Sequence, residues 1–217
     1  MRFSSSIFAL VLFGTLTLAS PLLSSYPPDS SPSIAARRIS IRGVHNAGKI
    51  NEHLYRGSQP SLSDLSELKK LGITTVIDLR AESPQTAEQE RIRVEAMGIR
   101  FQHIPIGGFS TPTNSDLLHF FQILHDSPSQ IVFVHCEFGR DRTGVMIAAY
   151  RIAFENWSSD QALSEMLQFG FNRAWHPSMI TFVRSLPRRL QSDAQLKNAV
   201  NPGFSSSPVS LQSIPAN

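Results

Sequence analysis

Val134-His135-Cys136-Glu137-Phe138-Gly139-Arg140-Asp141-Arg142-Thr143-Gly144 is the stretch on which the reading of this chain turns. It sets the only cysteine of 217 residues at the end of the apolar run Ile131 to Val134, and a helix-forming segment, Val145 to Phe154, follows directly. Strand, short loop and helix is the layout of an anion cradle. Gly139 and Gly144 allow successive backbone N–H groups to turn inward, and the helix adds the positive end of its dipole. The loop Glu137, Phe138, Gly139, Arg140, Asp141 and Arg142 is therefore expected to bind a dianion such as phosphate. The same field favours a thiolate at Cys136 and makes it a nucleophile. Arg142 lies where the loop can fold back, so that its planar fork holds two phosphate oxygens in a way lysine could not. Thr143 carries a hydroxyl close to the sulfur in sequence, able to hydrogen-bond it and make it a better leaving group. A nucleotide P-loop is disfavoured, because no Gly-Lys-Ser/Thr follows a glycine-rich loop.

His-Cys, five residues, Arg and Thr resembles the signature of the cysteine-dependent tyrosine and dual-specificity phosphatases, and the resemblance extends more weakly over Leu54 to Leu190. Leu54-Tyr55-Arg56-Gly57-Ser58-Gln59-Pro60 is similar to the entry segment of the atypical dual-specificity enzymes, and is read as structural. The Asp-Arg-Thr-Gly ending resembles the lipid- and inositol-phosphate-directed branches and their bacterial relatives. The resemblance implies a phosphate monoesterase that works in two steps through a phosphocysteine, with no metal or other cofactor. Phosphorylated proteins are its first expected substrates, and phosphoinositides or inositol phosphates the alternative. A pocket that binds phosphorylated ligands with little turnover is the rival from another class. In that family the position of His135 orders the loop, so His135 is expected to support rather than to act as a base. The family also keeps an aspartic acid, its proton donor, after a strand and its proline. Here the corresponding stretch, Pro105-Ile106-Gly107-Gly108-Phe109-Ser110, holds no carboxylate. Asp116, Glu137 and Asp141 are the candidates. Asp141 is preferred, because myotubularin-like phosphatases carry a similar aspartate just before the loop arginine. The structural alternative is that Asp141 pairs with Arg140 or braces the loop.

Outside the motif, residues 1–20 combine Arg2 with an uncharged apolar run, Ile7 to Leu18, and small residues at Ala19 and Ser20, which reads as a signal peptide. That run is short for a bilayer, so export without a stable membrane span after cleavage is expected, to the periplasm or the cell exterior. Residues 21–36 are rich in Ser and Pro and are expected to form a linker, and residues 191–217 a disordered tail. Residues 37–190 then make one domain. A net charge of +3 is too small to argue for nucleic acid. The seven histidines show no metal-ligand spacing, and a monomer is expected.

Short strands are predicted at Ile39 to Val44 and Leu54 to Arg56, then a helix capped by Ser61 or Ser63. The β-branched run Ile73 to Leu79 has the character of a buried parallel strand, with Asp78 and Arg80 at its end pairing with each other or with the loop framework. Helices are predicted over Thr86 to Met97, Asn114 to His125 with Thr113 as cap, a segment capped by Ser158 or Ser159 and running through Gln168, and Pro177 to Leu190. Strands are predicted over Arg100 to Ile104 and Ile131 to Val134. Alternating strands and helices imply an α/β fold, a central and mainly parallel sheet with helices on both faces, and a ligand beyond the carboxyl ends of its strands. Trp157, Trp175, Phe169 and Phe171 read as core.

Overall fold

The computed structural model describes residues 35–201 apart from 83 and 128. The expected signal peptide, most of the linker and the last sixteen residues of the tail lie outside the described residues. Six strands form one sheet: β1 (Arg37–Arg38), β2 (Gly48–Lys49), β3 (Leu54–Ser58), β4 (Thr75–Arg80), β5 (Arg100–Ile106) and β6 (Val132–Cys136), in the order β1-β2-β3-β6-β4-β5. The four strands β3, β6, β4 and β5 are parallel, and the short β1 and β2 add antiparallel to the β3 edge. The β6 strand is central, flanked by β3 and β4. Central strands are buried on both sides, and every residue of β3, β4 and β6 is buried.

Successive side chains of a strand point to opposite faces, and β6 shows what that does here. Val132, Val134 and Cys136 join Ile77 and Leu79 in the larger core, which is covered by α3 (Asn114–His125), α4 (Asp141–Phe154), α5 (Ser159–Gln168), α6 (Pro177–Ser192) and α7 (Ala194–Val200). Phe133 joins Tyr55 and Val76 in the second core, under α1 (Ser66–Lys70) and α2 (Pro84–Ala96). His135, one residue before Cys136, therefore turns to the α2 side of the sheet.

The predicted elements largely form, and the departures have local causes. Ile39 to Val44 is no strand: Gly43 takes φ +74°, turning the chain so that Ile41 and Val44 bridge each other. Ser61 and Ser63 cap no helix. Both hydroxyls donate to the Asp64 carboxylate in the turn before α1, whose N-cap is Leu65. Thr113 caps α3 as expected and closes a capping box with Asp116, and Ser158 does the same for α5 with Gln161. Residues 191–201, expected to begin a disordered tail, are largely helical. The α6 helix runs through Ser192, Asp193 Oδ1 accepts from Gln195 N and Leu196 N, and Leu196 of α7 is completely buried. Leu196, with Ala199 and Val200 packed against the same core and Asp193 accepting from Asn114 Nδ2, holds α7 on the domain.

Candidate active site

The loop between β6 and α4 closes over the end of β3. Gly139 adopts φ +65°, and a Cβ there would lie 2.3 Å from the Gly57 carbonyl carbon and 2.5 Å from Ser58 N, so only glycine fits. The Gly139 carbonyl is held from below by two donors, Arg56 Nη2 at 2.7 Å and Asn46 Nδ2 at 2.8 Å. Gln59 N donates to the Glu137 carbonyl at 3.2 Å. Three contacts thus turn loop carbonyls away from the concave side. Cys136 is 2 % exposed at the carboxyl end of the central strand, and α4 begins at Asp141. Nucleophile, turned loop and helix N-terminus meet as the sequence predicts.

Arg142 is buried in the first turn of α4 and is gripped by a residue the sequence reading missed. Its Nη1 donates to Glu82 Oε2 at 2.7 Å and to the Ile106 carbonyl at 3.1 Å, and its Nη2 lies 2.7 Å from Glu82 Oε1. Of five guanidinium hydrogens these contacts use three. Nε–H and one Nη2 hydrogen are left, side by side, in the geometry of a fork able to take two oxygens of an anion. Burial disfavours both charges, but the Glu82 hydrogen bond and the Cys136 field outweigh it and raise the Arg142 pKa, while Arg142 in turn holds the Glu82 carboxyl below the usual carboxylate range. Glu82 sits just past β4, sixty residues from its partner, and nothing local in the sequence announces the pair.

His135 supports the site from the other face of the sheet. Its Nε2 lies 2.9 Å from Glu90 Oε1, in a contact bent away from hydrogen-bond geometry, and its Nδ1 lies 3.9 Å from Asp78 Oδ1. Arg80 ties the group together with Nε and Nη2 on the two Asp78 oxygens, at 2.9 and 2.8 Å, and with Nη2 on Glu90 Oε2 at 2.7 Å. Asp78 and Arg80 thus pair as expected, and Glu90 of α2 is the partner missed. Burial opposes a charged His135, but the field and contact of Glu90 override it and raise its pKa; Asp78 is lowered, against its burial, by His135 and Arg80. The three side chains Asp78, Glu90 and His135 are close enough to share a metal ion, but the Arg80 guanidinium already lies between the two carboxylates as their cation.

The remaining predicted residues divide. Thr143 is fully buried and its hydroxyl has no hydrogen-bond partner among the described residues, so the expected hydrogen bond to sulfur is not formed, and the donor stays free to turn towards sulfur or phosphate. The Glu137 and Phe138 side chains point to solvent, as does much of Arg140, which stacks over the Phe138 ring at 5.0 Å; Glu137, Phe138 and Arg140 therefore serve the loop chiefly through their backbones. Asp141 Oδ1 accepts from Asn172 N at 3.1 Å, and its Oδ2 lies 3.7 Å from His176 Nε2 and 3.9 Å from Arg140 Nε. These contacts tie Asp141 to the loop between α5 and α6. Asp116 is also occupied, accepting from Thr113 N and Oγ1 at 2.8 Å in its capping box. Phe169 and Phe171 are core as expected and Trp157 is partly so, but Trp175 is 66 % exposed, its N–H turned back to Asn172 Oδ1.

Residues 40–179 match the family described as DSP-PTPase phosphatase fused to NAD+ kinase. The chain belongs to this dual-specificity phosphatase family. It is 26% identical over 171 residues to the dual specificity protein phosphatase TpbA of Pseudomonas aeruginosa, an alignment covering 74% of this chain and 70% of that one. It is 27% identical over 107 residues to the phosphatidylglycerophosphatase and protein-tyrosine phosphatase 1 of Rattus norvegicus, covering 49% of this chain and only 54% of the relative. The core catalytic domain of the PP-IP phosphatase SIW14 from S. cerevisiae shares the fold, with a TM-score of 0.56 at 23% identity, covering 72% of this chain and 98% of that one. The chain is a cysteine-dependent phosphatase of the tyrosine and dual-specificity superfamily.

Proposed function

We propose that this phosphatase prefers substrates whose leaving group departs with little protonation, aryl phosphates such as phosphotyrosine and phosphoanhydrides, over alkyl esters such as phosphoserine and phosphoinositides. The observation that carries the reading is the state of the candidate acids. The stretch 105–112 has no carboxylate, Asp116 is locked in a helix cap, Glu137 is turned to solvent, and Asp141 is tied through Oδ1 to the Asn172 N–H. In the first step the Cys136 sulfur attacks phosphorus, an S–P bond forms and the P–O bond to the leaving group breaks. Arg142 and the loop N–H groups stabilise charge on the equatorial oxygens. Water then attacks the phosphocysteine and releases phosphate and thiolate. A phenolate, with a conjugate acid near pKa ~10, leaves without a donor far more easily than an alkoxide. The PP-IP phosphatase name of the yeast neighbour fits the phosphoanhydride half of this preference.

The test is a panel without added metal: aryl phosphates of graded acidity, phosphotyrosine and phosphoserine peptides, an inositol diphosphate and a phosphoinositide, each with wild type and Cys136→Ser. Turnover of the aryl phosphates, the phosphotyrosine peptide and the inositol diphosphate, lost in Cys136→Ser, supports the proposal. Equal or better turnover of phosphoserine or phosphoinositide overturns it and returns Asp141 to the role of acid. Phosphate binding without turnover of any substrate assigns the pocket to recognition alone. Export, motivated by residues 1–20, is the second part of the proposal, and fractionation of the tagged protein with its amino-terminal sequence decides it.

A further inference from the structure

Arg56 is among the largest completely buried side chains, and among the described residues its charge has no carboxylate partner of its own. Its Nη2 donates to the Gly139 carbonyl at 2.7 Å, and its guanidinium carbon lies 4.0 Å over the Phe169 ring. Nε and Nη1 are buried without a hydrogen-bond partner among the described residues. The nearest acid in its field, Glu165, is committed to Arg151, with contacts of 2.8 and 3.2 Å, and to Ala36 N at 2.7 Å. A buried cation left in this state is expensive, and burial pushes the Arg56 pKa down to about 10 against the opposing fields of Glu165 and Cys136. A cation–π contact and one carbonyl recover only part of such a cost.

We infer that Arg56 is a positioning residue of the phosphate site, a cation set behind the loop that acts through the Gly139 carbonyl and whose missing counter-charge is the anion the loop holds. It works in two ways. It fixes the Gly139 carbonyl on the far side of the loop, so that the neighbouring N–H groups face the phosphate. It also places a full positive charge in a low-dielectric interior, where water does not screen it, so an anion in the loop and the charge on Arg56 stabilise each other reciprocally. Asn46 shares the first task and not the second, since it donates to the same carbonyl at 2.8 Å and carries no charge.

That difference supplies the experiment. Arg56→Met keeps the stem over Phe169 and removes the charge, Arg56→Lys keeps a charge without the fork, and Asn46→Ala removes the second donor, together with its bonds to the Phe169 carbonyl and Arg38, while leaving the charge in place. Tungstate and phosphate binding by calorimetry, the rise in melting temperature that saturating tungstate produces, and the rate of Cys136 alkylation by iodoacetamide between pH 5 and 8 are read for each. Arg56→Met is expected to weaken oxyanion binding by about 5–150-fold, the usual range of a coupling free energy, to shrink the tungstate-induced rise, and to slow alkylation at pH 6. Arg56→Lys is expected to keep most of both, and Asn46→Ala to bind within a few-fold of wild type. A purely structural Arg56 would lower the melting temperature of Arg56→Met while leaving its oxyanion affinity and alkylation profile as in wild type, and that result overturns the proposal. If Arg56→Met does not fold, Arg56→Lys decides alone, and a loss of oxyanion affinity as large as that of Arg142→Lys overturns the charge argument. None of these readouts needs turnover, so failure of the leaving-group proposal remains distinguishable from failure of this one.

Discussion

Glu82→Gln tests whether the site is assembled before phosphate arrives. The donor count on Arg142 leaves Nε–H and one Nη2 hydrogen for substrate with Glu82 still in place, so Glu82 aims the guanidinium and does not compete with phosphate. A hydrogen bond to a charged group contributes about 1.5–3 kcal/mol net when buried. The Glu82 side chain is 42 % exposed, which brings the charged part of the pair down towards ~1 kcal/mol. Glutamine keeps one acceptor oxygen and loses the bidentate match. A loss of ~1–1.4 kcal/mol in positioning corresponds to kcat falling about 5–10-fold, with KM for an aryl phosphate little changed and the melting temperature down by only a few degrees. The assay is steady-state hydrolysis of p-nitrophenyl phosphate at saturating and low substrate, beside a thermal melt. An increase in kcat/KM in Glu82→Gln would refute the reasoning, because it would mean that Glu82 occupies the phosphate fork and must be expelled.

Three further outcomes are expected. Asp141→Asn keeps an oxygen for the Asn172 N–H and should lower kcat uniformly, by a few-fold, across aryl and alkyl phosphates; a selective loss of about 10²–10⁴-fold on alkyl phosphates, with the basic limb of the pH–rate profile erased, would instead identify Asp141 as the acid. Gly139→Ala, whose Cβ meets the Gly57 backbone at a positive φ, should cost about 1–3 kcal/mol of stability and abolish tungstate binding, and a variant that binds like wild type would show that the loop has room to move. His135 has a raised folded pKa, so its contribution to stability is complete below the unfolded value of 6.5 and is lost as pH rises through the folded value. Asp78 is lowered, so its contribution is present above 3.8 and is lost as pH falls through its folded value. The gap in melting temperature between wild type and His135→Gln should therefore be widest between about pH 4 and 6.5 and narrow towards pH 8; a gap that widens from pH 6 to 8 contradicts the charged His135–Glu90 pair.

What could be read from the sequence was local, and what escaped it was not. The loop from Cys136 to Arg142 and the capped start of α3 are written in residues that touch their chain neighbours, and the structure places them where the reading does. Glu82, Arg56, Asn46 and Glu90 act on residues 45 to 93 positions away, and as isolated letters they look like ordinary surface charges and polar side chains. Trp175 failed for the converse reason. Hydrophobicity assigned it to the core, but the side chain of Asn172 accepts from the N–H groups of Ala174 and Trp175 and fixes a turn that leaves the indole outside. If Cys136 ends a strand buried on both faces, the two-residue period of that strand sends His135 to the opposite side of the sheet, out of reach of the phosphate. A histidine so placed needs a partner on the helix that covers that side, and α2 carries three acids, of which Glu88 and Glu95 pair with Arg91 on the exposed face and Glu90 alone is fully buried. The strand thus separates the work of the site. Its last residue attacks on one face, and the residue before it is pinned on the other, so the peptide that joins them cannot rotate without breaking the Asp78, Arg80 and Glu90 network beneath.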